Sequence, residues 1–176
     1  MTDHKRLFFA LSPDATVRKQ FLSLQQHTPD RARNVTADNL HLTLVFLGSV
    51  DATLLPRLQT LAASIQTQRF ALTFDHIGTW LRPQVMWAGC HQMPQALSEL
   101  VNGLRRGVVE CGLDVESRPY VPHLTLARKV RKKIDLELEI PVVWEVNEFC
   151  LLESITDPKG AIYTRVGEWS LATGLK

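Results

Sequence analysis

The tetrapeptide His-Leu-Thr-Leu occurs twice in the chain, at residues 41–44 and again at 123–126. Because side chains alternate across a strand, His41 and Thr43 would share one face while the neighbouring leucines point into a core. The same alternation pairs His123 with Thr125. Each motif is therefore expected to present an imidazole and a hydroxyl side by side on a rigid element.

Two histidines and two threonines in one cleft suit attack on a phosphodiester. A neutral imidazole can take a proton from water while a protonated one gives a proton to the leaving oxygen, and free imidazole titrates at about 6.5. Threonine hydroxyls can donate hydrogen bonds to the non-bridging phosphate oxygens. This scheme requires no metal and no cofactor, and the sequence has no phosphate-binding glycine loop.

The predicted elements around the two motifs correspond in order. Apolar spacing predicts a strand at 6–11 and a helix at 14–26 before His41, and a strand at 85–90 and a helix at 94–111 before His123. The other apolar runs predict a strand at 40–47 closed by Gly48, a helix at 53–65, and strands at 70–80, from 123, near 142–152 and at 161–171. The duplicated order predicts one domain, residues 1–176, of two pseudo-symmetric lobes.

The first helix has a candidate start at Ser12, as the N-cap, with Pro13 as the first helical residue. Residues 27–38 are polar and are expected to form a loop. The mixture of helices and strands without a linker-like break indicates an α+β fold.

Around these motifs the sequence resembles the two-histidine phosphoesterases of the LigT type, also called 2′-5′ RNA ligases or RNA 2′,3′-cyclic phosphodiesterases. The resemblance covers nearly the whole chain. It rests on the two motifs and on the stretches Arg6-Leu7-Phe8-Phe9-Ala10, Asn39 to Gly48, Trp80-Leu81-Arg82 before Val85 to Gly89, Arg118 to Leu126 with Arg128, and more loosely Leu152-Glu153-Ser154 before Tyr163. The basic segment after Arg128 and residues 155–162 depart from the family's pattern.

The resemblance implies two antiparallel β-sheets that line a V-shaped cleft, with helices packed outside. It implies hydrolysis of a terminal RNA 2′,3′-cyclic phosphate to a 2′-phosphate, with the 3′-oxygen leaving. By the family's pattern His41 matches the proton donor and His123 the proton acceptor, although the chemistry of the residues alone fits either assignment. Run in reverse, such a site would join a 2′-phosphate to a 5′-hydroxyl.

Thr43, Thr125 and Arg128 are the candidate phosphate-binding residues. Arg128 lies five residues after His123, so on a regular strand it points away from the histidine face unless a bulge or the strand end turns it inward. The basic run from Arg128 to Lys133 is either a solvated loop or a contact to the RNA backbone.

The aromatic and remaining histidine residues have mostly structural interpretations. Phe9 and Tyr120 are candidates to stack on a base, with core packing favoured for Phe9. Trp80 and Trp87 are assigned to the core. The sequence gives no partner pattern for the four other histidines, which are His4, His27, His76 and His91.

Composition excludes several other classes of protein. The chain has 176 residues with 45% hydrophobic and 22% charged side chains, which is typical of a globular domain rather than a disordered one. Its net charge of +2 is too small for a strongly basic nucleic-acid coat. Three widely spaced cysteines, Cys90, Cys111 and Cys150, predict free thiols. The longest apolar run near the start, Leu7 to Leu11, is too short for a signal-peptide core or a membrane span, so a soluble cytoplasmic protein is expected. Nothing in the sequence demands a protein partner, so a monomer is the default expectation.

Two alternatives remain open from the sequence. The same site could act on 2′-5′ oligonucleotides or small cyclic nucleotides instead of RNA ends. The chain could also be an RNA- or nucleotide-binding module without turnover, which two intact His-x-Thr pairs argue against.

Overall fold

The computed structural model describes residues 3–158 and 160–173. Within these residues three α-helices and nine strands form an α+β fold, as the sequence predicts. The strands are β1 (His4–Leu11), β2 (Arg33–Asn34), β3 (Leu42–Asp51), β4 (Phe70–Trp80), β5 (Val85–Gly89), β6 (His123–Arg128), β7 (Asp135–Val146), β8 (Glu148–Asp157) and β9 (Gly160–Ser170), and the helices are α1 (Ala15–Leu24), α2 (Leu55–Ser64) and α3 (Gln95–Glu110). No helix among the described residues is long and apolar enough to cross a membrane.

The start of α1 differs from the sequence prediction. The N-cap is Asp14, whose carboxylate accepts hydrogen bonds from the backbone N–H groups of Thr16 and Val17 at 2.8 and 2.9 Å. A carboxylate at this position satisfies two amides that lack a helical partner. Ser12, predicted as the cap, instead lies 3.5 Å from the Cys150 sulfur.

Two strand boundaries also differ. β3 begins at Leu42 and not at residue 40, because a 3₁₀ turn over Ala37–Asn39 ends at Leu40. The strand continues through Gly48 and ends at Asp51. The positive φ of Gly48, 72°, accompanies a bulge in the β1–β3 ladder, where Gly48 pairs with Leu7 and Phe46 with Phe8. The predicted strand near 142–152 is two strands, β7 and β8, interrupted at Asn147.

The strands form one antiparallel path in the order β7-β4-β5-β6-β3-β1-β8-β9, with β2 added to β6. The two motif strands, β3 and β6, are neighbours at the centre of this order. They meet through a single pair, Leu42 opposite Leu124. Three further strands therefore follow on each side of this junction.

The main core lies on one face of the sheet. Leu42, Leu44, Leu124 and Leu126 are all at most 2% exposed and pack in the same cluster as the apolar side of α3. Since side chains alternate, the histidines and threonines of both motifs lie on the opposite face. A smaller buried cluster of Phe8, Ala10, Cys150 and Leu152 packs separately from the main core, with Tyr163 against it.

A bulge follows the threonine of each motif. In the β1–β3 ladder Thr43 pairs with Ala10 and Val45 with Phe9, so Leu44 is the extra residue. In the β5–β6 ladder Thr125 pairs with Trp87 and Ala127 with Met86, so Leu126 is the extra residue. An extra residue reverses the alternation beyond it. Phe46 and Arg128 are thereby returned to the histidine face.

We expect Asp14→Ala to lower the free energy of unfolding by about 1 kcal/mol, because it removes the side-chain cap of α1. Urea unfolding followed by circular dichroism measures this loss. Ser12→Ala is the matched control and should cost less. An equal or greater loss in the control would contradict the placement of the cap.

Candidate active site

His41 is held in one orientation by both ring nitrogens. Its Nδ1–H donates to the Asn39 carbonyl at 2.7 Å, so in the neutral ring Nε2 is the unprotonated nitrogen. That Nε2 lies 3.1 Å from the Thr43 hydroxyl, which can donate to it. The rings of Phe8 and Tyr163 each pack against the imidazole with centroids 5.0 Å away. Nε2 is therefore the nitrogen available for proton transfer.

His123 repeats this arrangement at the start of β6. Its Nδ1–H donates to the carbonyl of Val121, again two residues earlier, at 2.8 Å. Its ring packs edge-on against Trp80 with centroids 4.6 Å apart, and Trp80 packs on Trp87 at 4.9 Å. Both motifs thus use a main-chain carbonyl to fix the same tautomer and leave Nε2 exposed to the site.

The sheet brings the two motifs together through the Leu42–Leu124 pair, which places Thr43 near the start of β6 and Thr125 near the start of β3. Tyr120 connects the two strands further, because its hydroxyl donates to the Thr43 carbonyl at 2.9 Å. The four predicted motif residues therefore lie on neighbouring strands and on one face.

The pKa of His41 is lowered to about 4, chiefly because burial disfavours the charged ring. The hydrogen bond to the Asn39 carbonyl raises the pKa, and the charges of Arg128 and His123 lower it. Burial also lowers the pKa of His123, while its bond to Val121 acts in the opposite direction. Both shifts favour the neutral imidazole in the free protein. An anion between them would favour the charged form of either ring.

Arg128 lies on the histidine face because of the bulge at Leu126. It is exposed, and its charge acts on His41. Directly opposite on β2 lies Arg33, which is also exposed. Like charges at paired positions repel, so this pair favours an anion beside the site.

A cavity of about 180 Å³ opens beside His41. Its lining includes Arg18, Tyr163 and Arg165. Arg18 lies 3.8 Å from Asp38, and Arg165 lies 3.4 Å from Glu148. A larger groove of about 690 Å³ between α1 and β7 contains no motif residue, so size alone does not mark the site.

Several aromatic interpretations are corrected by the structure. Phe9 is fully buried in the core, as favoured, and the residue on the site face is its neighbour Phe8. Tyr120 is half-buried, its hydroxyl donates to the Thr43 carbonyl, and desolvation raises its pKa. Trp80 and Trp87 were expected in the core but lie half-buried beside His123.

The sequence missed Phe8 and Tyr163 as packing partners of His41. Ala10 pairs with Thr43, and Phe8 lies two residues before Ala10 on the same face of β1. Strand alternation could therefore have predicted that Phe8 lies on the histidine face. No local signal could have placed Tyr163, which comes from β9 at the far end of the chain. The three cysteines are free, as predicted, and burial raises the pKa of Cys90 to about 12.

The motif histidines are not arranged as a metal centre. Among the described residues a single group of His, Cys, Asp or Glu side chains is close enough to hold an ion, and it consists of Asp75, His76 and His91. The motif residues instead offer two proton-transfer nitrogens, two hydroxyl donors and a nearby guanidinium. This set can hold a phosphoryl group and move a proton on either side of it.

Comparison with known proteins identifies the family of the chain. Residues 13–158 match the model of the 2′-5′ RNA ligase superfamily. The chain is 37% identical to the RNA 2′,3′-cyclic phosphodiesterase of Escherichia coli, over 97% of this chain and 99% of that protein. It is 33% identical to the RNA 2′,3′-cyclic phosphodiesterase of Thermus thermophilus, over 94% and 90% of the two chains.

The fold is similar over the same extent. The crystal structure of E. coli LigT complexed with 3′-AMP aligns with a TM-score of 0.90 at 37% identity, covering 97% of this chain and all of that one. The chain belongs to the 2′-5′ RNA ligase superfamily, which confirms the family predicted from its sequence.

We expect Arg128→Gln to raise the pKa of His41, because a positive charge that disfavours the imidazolium is removed. The titration of the His41 ring proton by NMR measures this change. Arg131→Gln removes a charge of the same sign from the neighbouring loop and should change the His41 pKa less. Equal shifts in the two variants would contradict the placement of Arg128 beside His41.

Proposed function

We propose that the protein hydrolyses RNA 2′,3′-cyclic phosphate ends to 2′-phosphates, without a metal or other cofactor. The observation that carries this proposal is the matched fixation of the two motif histidines. Each donates Nδ1–H to a carbonyl two residues earlier and directs Nε2 to one face of the sheet. The activity named for the relatives is the reaction that two such groups can catalyse.

In this proposal His123 is the proton acceptor and His41 the proton donor. Neutral His123 takes a proton from water at Nε2, and the water oxygen bonds to phosphorus. The bond from phosphorus to the 3′-oxygen breaks, and protonated His41 gives its Nε2 proton to that oxygen. The products are a 2′-phosphate and a 3′-hydroxyl.

The low pKa values of the imidazoles fit these roles. Burial keeps His123 neutral, as a proton acceptor must be. His41 gains its proton when the phosphate anion enters, and an imidazolium with a low intrinsic pKa is the stronger acid toward the departing oxygen. Thr43, Thr125 and Arg128 donate hydrogen bonds to the non-bridging oxygens, where charge shifts during the reaction.

The basic segment after β6 favours an RNA end over a small cyclic nucleotide. Its cations Lys129, Arg131, Lys132 and Lys133 are exposed, and none is in an ion pair within residues 3–158 and 160–173. The segment is anchored, since Val130 is fully buried and its N–H donates to the Gln84 carbonyl at 3.0 Å. Exposed cations on an anchored segment that follows Arg128 suit the phosphates upstream of the terminus.

The proposal includes the architecture predicted from the duplicated motif. A single domain of two pseudo-symmetric lobes around a V-shaped cleft is supported by three further strands on each side of the β3–β6 junction and by the matched bulges at Leu44 and Leu126. The proposal also includes a monomer without an obligate protein partner that acts in the cytoplasm. All proposed reacting groups come from one chain, so the reaction needs no second subunit. Ligation, the second reaction predicted from the sequence, would use the same groups with a 5′-hydroxyl in place of water. His123 would take the proton of that hydroxyl, its oxygen would bond to the phosphorus of the cyclic phosphate, and the 3′-oxygen would leave with a proton from His41, so that a 2′-phosphoryl group is joined to the 5′-oxygen.

We expect His41→Asn and His123→Asn each to lower kcat by about 10²- to 10⁴-fold, the usual contribution of one general acid or base. The assay uses a short RNA with a 2′,3′-cyclic phosphate end in excess EDTA, and chromatography separates the 2′- from the 3′-phosphate. His27→Asn, outside the motifs, is the matched control and should keep full activity.

Each other outcome of this assay contradicts part of the proposal. A 3′-phosphate product would overturn the leaving group. Turnover retained in either motif variant would overturn the two-histidine mechanism. Tight binding of the RNA without any product would make the protein a binding module.

We expect the triple variant Arg131→Gln, Lys132→Gln and Lys133→Gln to raise KM for a cyclic-phosphate RNA of several nucleotides and to leave KM for 2′,3′-cyclic AMP unchanged. The reason is that only the longer substrate carries upstream phosphates. The control removes three exposed cations elsewhere, at Arg57, Arg69 and Arg106. Equal KM changes for the two substrates would favour a small nucleotide as the natural one.

A further inference from the structure

A second cluster of titratable side chains lies on the histidine face, on the far side of β5 from His123. His123 pairs with Gly89 on β5, and Gly89 pairs with His76 on β4. His76 and His91 both direct Nδ1 to the same carboxylate oxygen of Asp75, at 2.8 and 2.9 Å. The two imidazole centroids are only 4.1 Å apart.

The backbone brings these residues together. Asp75 and His76 are neighbours in sequence and would face opposite sides of a regular strand. The register of β4 against β7 shifts at Asp75, which lets both side chains reach the same place. His91 follows the end of β5, and its backbone N–H donates to both Asp75 oxygens at 3.2 and 3.4 Å. The carboxylate is therefore fixed before any ligand arrives.

The rings are also positioned by their packing. His76 lies edge-on to Trp87, with centroids 5.3 Å apart. Gly89 leaves room for it, since a Cβ at that position would lie 2.9 Å from the His76 ring. His91 has its outer nitrogen, Nε2, 3.5 Å from a carboxylate oxygen of Glu137. A carboxylate on the outer nitrogen of an imidazole is the usual partner of a metal-bound histidine.

We propose that Asp75, His76 and His91 form a binding site for a divalent transition-metal ion of the zinc type. Two imidazole nitrogens and one carboxylate oxygen are donors that such ions prefer. Neighbouring ligands of a tetrahedral ion lie roughly 3.4 Å apart, so the two contacts to Asp75 need to open by only about half an ångström.

Metal binding is balanced in protons at this site. When the ion binds at Nδ1, each neutral ring loses its Nδ1 proton to water and takes up a proton from water at Nε2, so the tautomer changes and no net proton is released. Glu137 then accepts the Nε2–H of His91. The side chain of His91 is 56% exposed, so water can fill the remaining coordination position.

This site is separate from the proposed hydrolysis. Neither motif histidine belongs to the cluster, and Trp80 and Trp87 lie between His76 and His123. Binding of the ion and turnover in EDTA are therefore independent observations, and failure of one leaves the other intact.

The test uses the full-length protein, stripped with EDTA and dialysed. Zn²⁺ binding is measured by competition with a chromophoric chelator, Co²⁺ binding by the visible absorption of its d–d bands, and stability by thermal unfolding. We expect one ion per chain and a higher melting temperature with Zn²⁺. His91→Ala and the isosteric Asp75→Asn should each weaken binding at least 100-fold, and Glu137→Gln by about 10- to 100-fold.

His41→Asn and His123→Asn are the matched controls and should bind Zn²⁺ as the unmodified protein does. Absence of Zn²⁺ binding and of stabilisation in the unmodified protein would overturn the proposal and leave the cluster as a hydrogen-bonded network. Binding that is lost in the motif variants but kept in His91→Ala and Asp75→Asn would also overturn it, by locating the ion at the motif histidines.

Discussion

The site depends on the single antiparallel contact between β3 and β6. Leu42 and Leu124 pair there, and each is the residue that follows a motif histidine. Both leucines are fully buried, so the core fixes their positions, and alternation then fixes the histidines and threonines on the opposite face. The positions of the motif side chains are thus fixed by packing on the opposite side of the sheet.

The same face shows how burial and charge are combined. Each imidazole is partly removed from water by aromatic rings, Phe8 and Tyr163 for His41 and Trp80 for His123. Removal from water disfavours the imidazolium, and in each ring the hydrogen bond to a main-chain carbonyl opposes this effect. The free site thus disfavours charged imidazoles and has the guanidinium groups of Arg128 and Arg33 at its edge. A bound anion would be attracted by both arginines and would favour protonation of the imidazoles.

The sequence predicted the parts of this arrangement that depend on local pattern. The motif strands, the three helices and the buried leucines follow from apolar spacing and alternation. The position of Arg128 does not, because it depends on the extra residue Leu126, and a bulge has no reliable sequence pattern here. The Asp75–His76–His91 cluster was missed for the same reason, since the shift at Asp75 overrides the alternation that separates neighbours.

The matched bulges also show where the similarity of the two halves ends. Phe46 and Arg128 occupy equivalent places, two residues beyond the extra leucine on β3 and on β6. On β3 this place is taken by the Phe46 ring, which has the Arg6 guanidinium 4.8 Å from its centroid, and on β6 it is taken by the cation Arg128.

The backbone therefore offers two equivalent proton-transfer positions, while the side chains make their electrostatic surroundings different. Arg128 acts on His41, and no equivalent arginine follows His41 on β3 to act on His123. The backbone alone would leave a phosphodiester free to react in either direction, so the donor and acceptor roles that the family's pattern implies require a difference of this kind between the side chains around the two rings.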